Sequence, residues 1–188
     1  MQNGHDPIRQ DDSWTLVAKL LHWLMAALIL AQLALGKYAE SIALSPQKLN
    51  LMVWHKSIGI VLLLLVLIRL TWAVVNPRPS PVDGIGVIMR KASKYSHFVL
   101  YLLMLSIPLS GWLMNSAKNI PFSVFRTIPW PNLIGPDKKL AVLFEQLHEG
   151  LVNILGIVLV IHVLAALWHH FYRQDRVLTR MWFGKSDR

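Results

Sequence analysis

Four separate runs of about twenty mostly apolar residues dominate the chain, and each has the length that a helix needs to cross the ~30 Å hydrocarbon core of a bilayer. They begin near Leu16, Met52, Ser96 and Leu147 and end near Gly36, Val75, Asn115 and Tyr172. Lipid offers no hydrogen bonds to an open backbone, so runs of this kind must be helical. Pro108 and Gly111 in the third run are tolerable there, because neighbouring helices can satisfy the backbone groups they free. The expected architecture is an all-α integral membrane protein: one domain, 1–188, folded as a four-transmembrane-helix bundle with spans near 16–36, 52–75, 96–115 and 147–172. The aromatic and proline-rich segment PFSVFRTIPWPNLIG lies in the connection 116–146, which is expected to rest on the outer membrane interface. The first run reads as a retained span and not as a secretory signal, since a polar stretch containing Asp11 and Asp12 precedes it and its apolar part is long.

Charge sets the expected orientation. Arg78, Arg90, Lys91 and Lys94 lie between the second and third spans, and Arg173, Arg176, Arg180, Lys185 and Arg188 follow the fourth. This surplus over the opposite loops, which carry Lys37, Lys48, Lys118, Arg126, Lys138 and Lys139, places both termini in the cytoplasm. The net charge of +9 comes from residues at the ends of apolar runs and not from aromatic-interleaved patches, so membrane lipid headgroups are the expected partner and nucleic acid is not. The chain has no cysteine, which excludes disulfides, cysteine-ligated iron–sulfur clusters and covalent attachment of a c-type haem. Any haem would be held by coordination and packing alone.

Ionisable groups inside a membrane are costly and therefore carry functional weight. His22, His55, His97, His148, His162, His169 and His170 all lie within the spans or at their edges. His148 and His162 are separated by 14 positions, which on a helix leaves them about 40° apart in azimuth and ~21 Å apart along the axis. They share a face at two depths, so each needs its partner from another helix. Converting position to height at ~1.5 Å per residue matches His55 with His148 near the outer ends of their helices, and His22 with His162 about two turns or slightly more from the inner ends. Two histidine pairs stacked across the bilayer are what two haems in a helix bundle require. With both axial positions filled, such haems suit electron transfer and not oxygen binding. Gly59, Gly150 and Gly156 are placed to let a flat macrocycle approach, or to serve as ordinary close-packing glycines. Depth alone leaves His97, at the inner start of the third span, as an alternative to His22 or His162. A zinc or copper transporter would call for carboxylates within the spans, and only Glu149 comes near, at an outer edge.

The chain resembles the bacterial cytochrome b561 family of compact four-helix di-haem proteins. The features that carry the likeness are LLHWL around His22, H-x-S-x-G from His55 to Gly59, SHFVLYLL around His97, and LHEGLVNILGIVLVIHVLAALWHHFY with its paired histidines and terminal His169-His170. The resemblance implies two haem b groups in a bacterial inner membrane, with His22 and His162 as ligands of the inner iron and His55 and His148 of the outer iron. It leaves His97 to hydrogen-bond a propionate or the backbone. It also implies ubiquinone near the cytoplasmic face, where Arg69 and His169 are candidates for contact with quinone or propionate. Arg69 snorkelling to headgroups and an interfacial His169-His170 pair are the plainer alternatives.

The implied function is electron transfer from a periplasmic donor to the quinone pool. Superoxide is one donor known in the family; Lys56, beside an outer ligand, would then help to attract the anion, together with Lys118, Arg126, Lys138 and Lys139. Basic outer loops are also ordinary solvated surface. The alternative is a haem-bearing anchor that docks a periplasmic dehydrogenase or lipid-binding partner through the loop from Ile120 to Gly135.

Overall fold

The computed structural model describes residues 13–76, 79, 80, 82 and 84–183. Of the residues that weighed in the expected orientation and in the retained first span, Asp11, Asp12, Arg78, Lys185 and Arg188 lie outside that set.

Four helices are each long and apolar enough to cross a membrane: α1 (Leu16–Ser41), α2 (Pro46–Val75), α3 (Val87–Ala117) and α4 (Lys138–Phe171). Each is longer than the apolar stretch read from sequence, α1 at its C-terminal end and the others at their starts, and side-chain caps fix the starts of α1, α2 and α4. Thr15 Oγ1 accepts from the Ala18 N–H at 3.3 Å, and Ser45 Oγ accepts from Lys48 N–H at 3.2 Å with Pro46 in the first turn of α2. Asp137 accepts from the N–H groups of Lys139 and Leu140 at 2.8 and 3.1 Å, so α4 begins at Lys138, well ahead of its apolar core. Each cap satisfies donors that would otherwise be orphaned near lipid headgroups.

Helix α1 packs on α2, α2 on α3, and α3 most extensively on α4. Met25, Leu63 and Val66 form one buried cluster, and Leu100, Leu103 and Leu155 form another, with Met104 packed against both. Most other large apolar side chains face outwards, among them Leu64, Leu67, Ile154, Ile157, Val160 and Ile161. In a soluble protein a continuous outer surface of this kind would drive aggregation; in a bilayer it is the lipid-facing side.

Between α3 and α4 the chain forms a two-residue hairpin, β1 (Ser123–Val124) against β2 (Ile128–Pro129), in antiparallel register with Val124 opposite Ile128. Its turn places Phe125 and Arg126 at φ 49° and 62°, a left-handed conformation unusual for side chains of this size. Tertiary contacts hold it there: Phe125 N–H donates to Ser57 Oγ at 2.8 Å, and Arg126 donates to Asn50 Oδ1 at 2.7 Å.

At the opposite end, a 3-10 turn at Thr179–Met181 folds back beneath α1. Trp14 N–H donates to the Arg180 carbonyl at 3.3 Å, Trp23 Nε1 to the Met181 carbonyl at 2.9 Å, and Arg180 Nη1 to the Ser80 carbonyl at 2.6 Å. The ring of Trp23, the neighbour of His22, also meets Trp182 edge to face at 5.3 Å.

Candidate functional site

The helix register brings four histidines together in two pairs. The ring centres of His22 on α1 and His162 on α4 are 6.3 Å apart, and those of His55 on α2 and His148 on α4 are also 6.3 Å apart. An imidazole nitrogen binds a first-row metal at about 2.0 Å and lies about 1.1 Å from its own ring centre, so two rings on opposite sides of one metal have centres about 6.2 Å apart. Both pairs fit that separation. Among the described residues no group of three or more His, Asp or Glu side chains converges to hold a metal ion, as a protein-only zinc or copper site would require.

His148 is the most firmly prepared of the four. Its Nδ1 lies 2.9 Å from the Ile107 carbonyl and 3.1 Å from Ser110 Oγ. A carbonyl only accepts, so the proton sits on Nδ1 and Nε2 keeps its lone pair for a metal. Two glycines make room for the outer pair. A Cβ on Gly111 would come within 3.1 Å of His148 Cε1 and 3.3 Å of Nδ1, and one on Gly36 within 3.1 Å of His55 Cε1. By contrast, a Cβ on Gly150 or Gly156 would meet nothing within 4 Å. Gly59 faces Gln32, whose Nε2 donates to the His55 carbonyl at 2.7 Å and so ties α1 to α2 beside the ligand.

A cavity of about 590 Å³ opens at the outer pair, lined by His55, His148, Gly36, Gly59, Gly111 and Lys56 among others. Its size is that of a cofactor or ligand site. Lys56 turns into it half-buried, with Nζ donating to Asn115 Oδ1 at 2.6 Å and lying 5.7 Å from the centre of the Phe122 ring. Of the other basic residues expected to draw in an anion, Lys118 pairs with Glu145 at 2.8 Å and Arg126 donates to Asn50. Along the cavity wall Lys37, Lys48 and Lys56 are matched in number by Glu40, Glu145 and Glu149, and Lys37 pairs with Glu40 at 3.0 Å. Lys118, paired with Glu145, adds a further cation beside that wall.

Around the inner pair, Arg69 Nη2 lies 3.3 Å from His22 Nδ1 and Nε donates to the Tyr101 hydroxyl at 3.1 Å, while the buried Nη1 has no hydrogen-bond partner. Arg69 is thus fixed beside the histidines and not extended to the headgroups. The His97 ring meets His162 edge-on at 5.4 Å, closer than two ligands across one metal, and its Nδ1 donates to the Ser93 carbonyl at 2.7 Å. His169 Nδ1 lies 2.5 Å from Asp175 Oδ2, which also lies 3.6 Å from Arg173 Nε. Sequence reading missed Asp175 and Asn115; the one available signal for Asp175 was an acidic residue six positions beyond a membrane-edge histidine.

With the geometry in view, comparison with known proteins is informative. The family model described as prokaryotic cytochrome b561 matches residues 13–184. Cytochrome b561 homolog 2 of Escherichia coli (strain K12) is 31% identical over 183 residues, 94% of each chain. Cytochrome b561 homolog 1 of the same organism is 30% identical over 129 residues, covering 68% of this chain and 72% of that one. A Yersinia pestis protein named probable superoxide oxidase CybB is 27% identical over 161 residues, covering 86% and 90%.

Proposed function

The chain belongs to the prokaryotic cytochrome b561 family, whose members are haem-binding electron-transfer proteins of bacterial membranes, and on that premise we propose that it passes electrons across the inner membrane between two b-type haems. His55 and His148 hold the outer group and His22 and His162 the inner one. The observation that carries this reading is the pair of matching 6.3 Å separations at two levels of one helix. When bound, the haems supply one-electron chemistry, and with two protein ligands each their irons keep no free position for oxygen.

The protein's own groups do the rest. Ile107 and Ser110 hold the His148 proton on Nδ1, and Gly36 and Gly111 leave the outer rings the space they occupy. With the termini in the cytoplasm, the outer pair would hold its haem nearer a periplasmic donor, and the inner pair would hold the second haem nearer ubiquinone. There the Asp175 carboxylate holds His169 by Nδ1 and so fixes how its ring meets a quinone; Arg69 Nη1 is a donor at the same end.

The probable superoxide oxidase among the relatives makes superoxide one donor to consider. The apolar side chains exposed on the outer loop, Ile120, Phe125, Ile128 and Leu133, support the other reading, in which a periplasmic redox protein docks there. Anaerobic mixing of the chemically reduced, purified protein with a short-chain ubiquinone tests the shared core. Both haems should reoxidise; haems that stay reduced would remove the quinone step. Turnover with superoxide by the isolated protein would then select the first donor, and failure to turn over despite quinone-competent haems the second.

A further inference from the structure

Lys56 is a cation held inside the outer cavity with a neutral partner. Its Nζ contacts Asn115 Oδ1 and the face of Phe122, and among the described residues no carboxylate lies within ion-pairing distance of it. Two of the wall's acidic residues, Glu40 and Glu145, are engaged by Lys37 and Lys118. A half-buried ammonium in this setting costs free energy unless an anion joins it. The side chain is nevertheless well ordered: Asn115 is itself buried, and its Nδ2 donates to the Ile120 carbonyl at 2.9 Å, which orients Oδ1 towards the lysine. Helix α2 places this ammonium directly after His55, on the wall of the cavity that the histidine pair faces.

A b-type haem brings two carboxylates of its own. Resting on the two-haem reading above, we propose that Lys56 binds a propionate of the outer haem, with Asn115 holding the ammonium in position. Its charge then belongs to the cofactor site, where it favours the reduced state, and does not serve as a lure for a diffusing anion. This also accounts for a lysine that points inward while Lys37 and Lys118 pair with acids.

Redox titration and resonance Raman spectroscopy of purified Lys56→Met and Lys56→Arg test the assignment. In Lys56→Met the outer haem's wave should move to lower potential while the inner wave stays in place. Its propionate bending band should shift, and haem loss to an acceptor protein should speed up about tenfold. Lys56→Arg should restore all three. Loss of the outer haem in Lys56→Met with retention in Lys56→Arg is the same result in stronger form. Unmoved waves and bands in Lys56→Met, or loss of the outer haem from both variants, would overturn the assignment; so would slower reduction of the haems by superoxide in Lys56→Met at unchanged potential. A wild-type protein with one haem or none would instead sink the functional reading on which the proposal rests.

Discussion

Substituting alanine for Gly111 should empty or distort the outer haem site while leaving the inner one intact. The added Cβ would sit 3.1 Å from His148 Cε1, whereas carbon atoms rest at about 3.5–4.0 Å, so the ring must retreat by roughly 0.4–0.9 Å. Retreat is resisted, because His148 Nδ1 is anchored to the Ile107 carbonyl at 2.9 Å and to Ser110 at 3.1 Å, and stretching them by that amount weakens both bonds and at the upper end breaks them. Sites of this kind tolerate displacements of about 0.5 Å. Overpacking costs about 1–3 kcal/mol, which converts to outer-haem affinity reduced roughly 5- to 150-fold. The backbone effect has the opposite sign, since Gly→Ala within a helix gains up to about 1 kcal/mol, so a loss of haem cannot be ascribed to a weaker α3. Pyridine haemochrome content per mole of protein should fall towards half, or the outer wave of a redox titration should shift if haem is retained. Gly135→Ala is the control: it lies in the outer loop, where an added Cβ would meet nothing within 4 Å, and both haems should remain. Full haem content with unshifted potentials in Gly111→Ala, or equal loss in Gly135→Ala, would refute the reasoning.

His97→Ala should keep both haems, because its ring stands 5.4 Å from His162, too close for the opposite face of a shared iron; spectral titration should show at most a shifted inner wave, and loss of the inner haem would reassign the ligand. Asp175→Asn should leave the haem spectrum unchanged and slow reoxidation by ubiquinone several-fold, since His169 loses the carboxylate that fixes its ring; stopped-flow reoxidation at the wild-type rate would remove the residue from the quinone step.

The features legible in the sequence were those written with a local period. Four apolar runs gave the four helices, and the spacing of His148 and His162 required two sites at two depths on one face of α4. What escaped depends on contacts between distant residues. Gly36 and Gly111 look no different in sequence from Gly150 and Gly156; their importance arises because α1 meets α2 at His55 and α3 meets α4 at His148. The Lys56–Asn115 bond joins residues 59 positions apart, and Phe125–Ser57 joins residues 68 apart, so neither the inward turn of the lysine nor the hairpin over it had a local signature. Counting basic residues in outer segments likewise hid their acidic partners, because the Lys118–Glu145 pair bridges the whole outer loop.

The central claim is the pairing, and haem-to-protein stoichiometry across single and double histidine variants tests it most directly. The wild type should bind two haems per chain. His148→Ala and His162→Ala should each bind one, and with distinct potentials. His55→Ala/His148→Ala should still bind one haem and retain the inner wave, as His22→Ala/His162→Ala should retain the outer. One haem in the wild type, or none in the His55/His148 double variant, would contradict the account.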